Sequence, residues 1–375
     1  MKIGVIGTRG FPDVQGGIET HCLELYSRMA RLDDHRITVY RRTPYLNQTN
    51  RYSKLQNISF VDIPVPKSKN LETVLHSFLA SIHALFQRYD VVHFHNTGPG
   101  FFIPLLKLTR ARVLFTYHNI SYTQTKWNTF AKLFLNFSEK ISLKLSDFVI
   151  FISDIIRTQM LEKYDIKNHK VISNGVNLPR LSDTWEYLDT LGLEKRGYII
   201  SVGRFLEEKG FDYLIRSYKK ANLDDIKLVI VGDTDYPTEY SVKLKRLAEE
   251  NGVVLTGYIK GEKLNQIYSF ARLFIMSSFE EGMPIALLEA MSYNIEVLAS
   301  NIPANLKVGL DEEDYFMAGD EEDLKNKIRM KVSREKEINF RNILENNFNW
   351  DKIALDTEQI CKDLINKHGR HFIKK

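Results

Sequence analysis

The sequence predicts an α/β protein built from two doubly wound, Rossmann-like parallel-sheet domains. Short β-branched runs alternate with helix-length amphipathic segments from the first residues to about residue 172. That alternation stops in a polar stretch and begins afresh at Tyr198. Length agrees, because 375 residues exceed one compact core and suit two domains of roughly 170 to 190 residues each. The expected partition is a first domain over 1–178, a linker over 179–195, a second domain over 196–345 and a terminal helix within 346–375.

In the first half, strands are expected at Ile3–Gly7, Ile37–Tyr40, Ile58–Asp62, Val91–His95, Val113–His118, Phe148–Ser153 and Lys170–Ile172. These runs are rich in Val, Ile and Phe, which suit a pleated buried surface. Helices fit Glu19–Leu32, Leu71–Gln87, Phe102–Leu108, Trp127–Leu145 and Asp154–Tyr164, where apolar residues recur three and four apart. Asn177 to Lys195 is polar, with Pro179 and several acids, and reads as the linker. Further strands follow at Tyr198–Val202, Leu228–Gly232, Val253–Gly257, Leu273–Ser277, Val297–Ser300 and Tyr315–Ala318, with helices between them. Asn349-Trp350-Asp351 then opens an amphipathic helix reaching about Lys367. Two such domains facing one another would form a ligand cleft at the carboxyl ends of both sheets.

Composition narrows the class. Hydrophobic residues at 43% and charged residues at 26% describe a globular chain and exclude a disordered one. Cys22 and Cys361 are far apart, which gives neither a disulfide framework nor a cysteine zinc site and favours a reducing compartment. Met1 leads straight into the first strand, and no run of about 18 apolar residues could span a bilayer, so the expectation is a cytoplasmic protein. The net charge of +5 is uneven: residues 1–190 hold 24 Lys and Arg against 16 Asp and Glu, or +8, leaving −3 for the rest. A basic first half can attract anionic lipid, a polyanionic acceptor or nucleic acid; a solvated basic surface is the plain alternative.

The stretch that carries most chemistry is Ser277-Ser278-Phe279-Glu280-Glu281-Gly282-Met283-Pro284-Ile285-Ala286-Leu287-Leu288-Glu289-Ala290-Met291. It reads as the end of a buried strand, a polar turn, and a helix whose first turn contains Pro284. Helix residues Ile285, Leu287, Leu288, Ala290 and Met291 are too apolar for a water-facing element. Glu281 and Glu289 interrupt that run. Eight helical steps would separate them by about 12 Å, near the span from the sugar to the ribose of a nucleotide-sugar. The helix N-terminus between them suits a pyrophosphate.

Upstream, Ser201-Val202-Gly203-Arg204-Phe205-Leu206-Glu207-Glu208-Lys209-Gly210 follows a strand and offers two cations. Arg204 supplies a planar fork and Lys209 a point charge. Near the N-terminus, Gly7-Thr8-Arg9-Gly10-Phe11-Pro12-Asp13-Val14-Gln15-Gly16-Gly17-Ile18-Glu19 is a strand-to-helix loop in which glycines allow close backbone approach. It is not G-x-G-x-x-G and lacks a convincing ribose-binding acid, which disfavours NAD. A flexible turn capping the helix is the simpler reading. His93 and His95 share one face of their strand, but no third ligand of suitable spacing accompanies them, and zinc is not expected. His118-Asn119 ends the next strand; a satisfied core histidine competes with a ligand-facing one. Asp233-Thr234-Asp235 forms a D-x-D, read here as a strand-end turn and not a metal site. Trp127, Phe130, Phe134 and Phe137 recur with Lys126, Lys132, Lys140 and Lys144 interspersed. Core packing is the first reading of that stripe, and a helix resting on anionic lipid the second.

Taken in order, these motifs resemble those of GT-B glycosyltransferases of the GT4 type. Glu281 and Glu289 match the E-x7-E element, Gly203-Arg204 and Lys209-Gly210 match G-R-x4-K-G, and Gly16-Gly17 match the glycine-rich N-terminal loop. His118-Asn119 is similar to the H-[DN] strand end, Ser173-Asn174-Gly175-Val176-Asn177 to the junction turn, and Thr256-Gly257 to the strand end near the base. Asn177 stands where Asp is common, and Asn294 and Glu296 where many relatives have Gly and Pro. The resemblance covers nearly the whole chain.

It implies a GT-B fold with a final helix crossing back to the first domain, and sugar transfer from a nucleoside diphosphate with retention and no metal or other cofactor. Arg204 and Lys209 would grip the pyrophosphate and Glu281 would orient the sugar. Gly203, Gly257, Gly282, Met283, Pro284 and Ile285 would line the donor, and Glu289 would bind the ribose. His118 would face the sugar, and Gly16 and Gly17 would touch donor phosphate or acceptor. The partners implied are a nucleoside-diphosphate-sugar and a glycan or lipid-linked glycan of bacterial surface polysaccharide synthesis, with peripheral contact to the cytoplasmic face of an anionic membrane and no nucleic acid. Two alternatives share the fold: a sugar-nucleotide 2-epimerase and a non-catalytic scaffold.

Overall fold

The computed structural model describes residues 1–68, 71–119, 129–223, 225–234, 237–334 and 337–372. The chain divides into two compact units, Met1–Asn174 with Trp350–Lys375, and Gly175–Asn349. Each contains one parallel sheet.

The first sheet comprises β1 (Lys2–Ile6), β2 (Arg36–Arg42), β3 (Ile58–Ile63), β4 (Val91–His95), β5 (Arg112–Tyr117), β6 (Phe148–Phe151) and β7 (His169–Val171). Their order is β3-β2-β1-β4-β5-β6-β7, so the winding reverses between β1 and β4. Helix Gly17–Leu32 buries Cys22, Leu25, Tyr26, Met29 and Ala30 against this sheet, a three-and-one spacing that keeps them on one face. The last helix, Trp350–Phe372, lies in the same core through Trp350, Ile353, Ala354, Ile360, Cys361 and Leu364. Burying each larger side chain of this set is worth about 1.5–3 kcal/mol. At the exposed end Arg28 Nε donates to Asp351 at 2.8 Å, and deeper in the contact His35 Nε2 lies 2.6 Å from Glu358.

The second sheet comprises β8 (Tyr198–Val202), β9 (Lys227–Val231), β10 (Val254–Gly257), β11 (Leu273–Met276), β12 (Glu296–Ser300) and β13 (Tyr315–Phe316). Their order is β10-β9-β8-β11-β12-β13, with the reversal between β8 and β11. Both faces are covered, which explains strands that are apolar without alternation. Tyr198, Ile200, Val229, Phe274, Met276 and Val297 enter one core, while Ile199, Leu228, Ile230, Leu273, Ile275 and Leu298 enter the other.

The thirteen expected strands are all present, with ends shifted by a residue or two. Three expectations change. The stretch 179–195, polar enough to predict a linker, carries helix Glu186–Thr190 and buries Leu188 and Leu193 in the second unit's core. In the sequence the acids around them mask these two leucines. The helix expected over Phe102–Leu108 is shorter, Ile103–Leu106 with Pro104 in its first turn, and a further short helix, Thr97–Gly100, precedes it. Pro284 is the residue before its helix and not inside it: the helix is Ile285–Ser292, and the Leu287 and Leu288 N–H groups donate to the Pro284 carbonyl. The first part of the aromatic stripe, including Trp127, lies outside the described residues.

Candidate active site

In the second unit, the loops after β8 and β11 are stitched to one another. Lys209 Nζ donates to Glu281 Oε1 at 2.5 Å, and the Ser278 hydroxyl donates to the same oxygen at 2.7 Å. Ser277 Oγ donates to the Lys209 carbonyl at 2.8 Å, the Phe279 N–H to the Glu208 carbonyl at 2.8 Å, and the Tyr213 hydroxyl to the Ser277 carbonyl at 2.7 Å. Gly210 makes the approach close. Its φ is +61°, and a Cβ there would sit 2.4 Å from both the Ser277 carbonyl oxygen and the Tyr213 ring. Arg204 opens the same loop, half-buried, directly after Gly203. Gly203 is itself approached by the end of β9: a Cβ on Gly232 would fall 1.9 Å from the Gly203 carbonyl oxygen.

This arrangement gathers Lys209, Ser278 and Glu281 at the carboxyl ends of β8 and β11, the strands that flank the reversal. Gly282, Met283 and Ile285 continue from Glu281, partly buried, into the helix that Pro284 precedes. Because the helix begins only at Ile285, the step from Glu281 to Glu289 is a turn followed by a helix, and a helical rise does not measure it. Glu289 is half-buried and accepts from the Tyr268 hydroxyl at 3.3 Å; Tyr268 in turn stacks on Tyr293 at 4.9 Å. Burial first, and the Glu289 carboxylate second, push the Tyr268 phenol well above its ordinary range, so it stays a donor.

Asp233 accepts from the Thr234 N–H and pairs with Lys245 at 2.9 Å, while Asp235 of the D-x-D lies outside the described residues. A cavity of about 420 Å³ opens beside them, lined by Phe205, Gly232, Asp233, Lys245, Leu255 and Gly257. The sequence motifs point to Gly257 but not to Phe205 or Lys245. Gly257, at φ +66°, accepts from the Gly232 N–H at 3.0 Å. The departures from the family pattern are structurally absorbed. Asn294 takes φ +52° just past the helix. Glu296 is buried in an ion cluster with Lys331 at 3.1 Å and Arg334 at 2.9 Å.

In the first unit, the glycine-rich loop after β1 folds onto a carboxylate supplied by the helix that follows it. Glu19 is buried and accepts from the Arg9 N–H at 2.9 Å and the Thr8 hydroxyl at 3.3 Å. A Cβ on Gly16 would meet Glu19 Oε2 at 2.0 Å, and Gly17 begins the helix. Gly7 plays the same part on the sheet side, since a Cβ there would fall 2.0 Å from the His95 carbonyl oxygen.

His118 is buried among other imidazoles. His95 Nδ1 lies 2.9 Å from His118 Nε2, and the His21 ring packs edge-on against His118 at 4.8 Å. His21 Nδ1 is 2.7 Å from Asn174 Oδ1, a partner that makes it the protonated nitrogen and leaves Nε2 bare. His21, His95 and His118 each bring one nitrogen to within 4.8 Å of the others. The spacing of His93 and His95 does not reveal these further imidazoles, which come from the residue after β5 and from helix Gly17–Leu32. Three nitrogens at such a distance could ligate a metal ion, but two of them are already committed to one another. Burial pushes the His21 imidazolium down to about 4, and His93, His95 and His118 well below the ordinary range.

Two doubly wound sheets in one chain, with chemistry-bearing loops at their carboxyl ends, define the class of GT-B glycosyltransferase folds. The family model described as Glycosyltransferase Family 4 matches residues 15–180, and Glycosyl transferases group 1 matches residues 183–349. The chain belongs to the glycosyltransferases of the GT4 type, and the protein is a glycosyltransferase. It is 24% identical to an uncharacterized glycosyltransferase of Methanocaldococcus jannaschii, covering 94% of this chain and 96% of that one. It is 28% identical to the UDP-Gal:alpha-D-GlcNAc-diphosphoundecaprenol alpha-1,3-galactosyltransferase of Escherichia coli, over 76% of this chain and 79% of that one. Among solved structures, sucrose-phosphate synthase from Thermosynechococcus elongatus superposes with a TM-score of 0.78 at 21% identity, covering 98% of this chain and 99% of that one. The Anabaena protein HepE, solved in complex with UDP and glucose, superposes with a TM-score of 0.78 at 16% identity, covering 97% of this chain and 100% of that one.

Proposed function

We propose that this glycosyltransferase moves a sugar, with retention of configuration, from a nucleoside-diphosphate-sugar to a hydroxyl of a lipid-linked glycan in surface polysaccharide synthesis. The observation that carries the donor half is the Lys209–Glu281 contact between the β8 and β11 loops. It places a cation beside the turn that leads into a helix N-terminus, the combination that suits a diphosphate. In this reading Arg204 and Lys209 hold the diphosphate and offset the charge it gathers as the glycosidic bond breaks, without a metal or other cofactor. Glu281 keeps Lys209 in place before donor arrives and then meets the sugar, with the Gly282, Met283 and Ile285 amides beside it. The cavity between Phe205 and Gly257 takes the base, and Glu289 binds the ribose. His118, neutral through burial, offers the sugar a hydrogen bond. Gly16 and Gly17 belong to the acceptor side.

The acceptor half rests on relatives. The Escherichia coli galactosyltransferase is named for a diphosphoundecaprenol acceptor, and a Staphylococcus aureus relative for capsular polysaccharide biosynthesis. Helix Thr129–Leu145 supports work at the cytoplasmic face of a membrane: Leu133 is 65% and Phe137 56% exposed, beside exposed Lys132, Lys140 and Lys144. That is the composition of a helix lying on anionic lipid.

The test is a thermal-shift screen of UDP-, GDP-, dTDP- and ADP-sugars, followed by turnover with the stabilising donor and a diphosphoprenol-linked glycan, with and without EDTA. Transfer with the anomeric configuration kept and no loss in EDTA is the expected result. Conversion of donor without acceptor would instead identify an epimerase, and stabilisation without turnover a scaffold.

A further inference from the structure

Inside the first unit, buried groups that motif reading treated separately form one continuous hydrogen-bonded chain. Thr116 Oγ1 lies 2.7 Å from His93 Nε2, and His93 Nδ1 lies 2.8 Å from the Tyr26 hydroxyl. The same hydroxyl lies 2.6 Å from His95 Nε2, and His95 Nδ1 lies 2.9 Å from His118 Nε2. Every member is buried. The chain joins helix Gly17–Leu32 to β4, β5 and the residue following β5.

Proton counting gives this chain a property that no member has alone. A neutral imidazole carries one N–H and one bare nitrogen, and a phenol has one proton to donate. Tyr26 faces two imidazole nitrogens, so it donates to one and must accept from the other. Suppose His118 donates from Nε2. Then His95 accepts at Nδ1 and donates from Nε2 to Tyr26, Tyr26 donates to His93 Nδ1, and His93 donates from Nε2 to Thr116. Reversing one bond reverses all of them, with no proton gained or lost. The chain therefore has two states, and in each the three histidines share one tautomer. In one, His118 Nδ1 is bare and accepts; in the other it carries the proton and donates.

We propose that Tyr26 is a positioning residue which, through His95, fixes the tautomer of His118 and so decides whether His118 Nδ1 offers the sugar a donor or an acceptor. The inference rests on the reading of His118 as a sugar-facing group, but its structural half does not. Burial supports it from a second direction. The Tyr26 phenol is pushed well above its ordinary range, mainly by desolvation, and so keeps its proton. Desolvation likewise holds the three imidazoles neutral near pH 7. A buried chain whose partners are all satisfied in these two states has no other cheap arrangement.

The experiment uses full-length protein labelled with ¹⁵N-histidine, signals being assigned with His93→Gln, His95→Gln and His118→Gln. Long-range ¹H–¹⁵N correlation reads each tautomer without any substrate. The expected result is one common neutral tautomer for His93, His95 and His118. In Tyr26→Phe, which removes only the hydroxyl, the His118 signals should shift, and kcat should fall roughly fivefold to tenfold, the worth of one hydrogen bond, with donor KM unchanged. Mixed tautomers, an imidazolium in the set, or a stoichiometric metal ion lost in His21→Ala would overturn the proposal. So would Tyr26→Phe with wild-type His118 signals or wild-type kcat. A common tautomer in a protein that transfers no sugar would reject the transferase details and leave the hydrogen-bonded chain standing.

Discussion

Lys209 and Glu281 stand 72 residues apart in the chain, yet the lysine ammonium lies 2.5 Å from a carboxylate oxygen. The pair closes two loops at the carboxyl ends of neighbouring strands, and Ser278 shares the same oxygen. In the proposed function, a diphosphate entering here would meet a cation already held in position by Glu281.

Removing that cation tests the arrangement directly. Lys209→Ala and Arg204→Ala should each lower transfer by about 10²–10³, the typical cost of losing one group that stabilises developing negative charge. Lys209 and Glu281 keep only 20% and 10% of their side-chain surface exposed, so Lys209→Ala, which leaves the carboxylate without its cation, should also cost about 1–3 kcal/mol of stability. Steady-state rates alongside thermal melts check both halves. Unchanged rates would remove these residues from the donor site.

Gly210 tests the stitching independently of charge. Alanine there meets both a positive φ and the Ser277 carbonyl oxygen at 2.4 Å, contacts that backbone cannot easily yield. Gly210→Ala should destabilise the protein by about 1–3 kcal/mol. It should also reduce activity beyond the loss of folded protein, by parting the loops. Denaturant titration and specific activity per folded molecule separate the two effects.

Acid should unfold this protein through its imidazoles. His21 is pushed from 6.5 down to about 4 in the folded state by burial, its bond to Asn174 opposing the shift. The unfolded chain therefore takes up the proton first as pH falls. Above pH 6.5 this residue contributes no pH dependence; between 6.5 and 4 stability falls, by about 3 kcal/mol in total. His93, His95 and His118 are displaced in the same direction and steepen the loss. Melting temperatures from pH 8 to 4 should stay level and then drop below 6.5, and His21→Gln should flatten the drop.

The exposed apolar residues of helix Thr129–Leu145 give a membrane prediction. Leu133→Glu with Phe137→Glu should weaken sedimentation with phosphatidylglycerol vesicles on the order of tenfold or more, since it removes two insertable groups and adds two like charges. Turnover with a water-soluble acceptor should be unaffected. Equal vesicle binding by wild type and variant would show that this face does not meet lipid.

The thirteen strands, both glycine loops and the paired acids are legible from residue order because each depends on local pattern: β-branched runs, turn glycines and short fixed spacings. Contacts between distant segments are not local. Nothing near Glu19 announces that it anchors Thr8 and Arg9, and nothing near Tyr26 announces that it bridges His93 and His95. The 179–195 segment reads as a linker for a related reason, since Leu188 and Leu193 are outnumbered in sequence by polar neighbours that face water. Sequence alone determined the alternating architecture, through side-chain periodicity, and the kinds of charge available at the strand ends. Tertiary structure decided which of those charges touch and which imidazoles lose water, because only closure of the sheets brings residues 70 or more apart within hydrogen-bonding reach and sets the local dielectric.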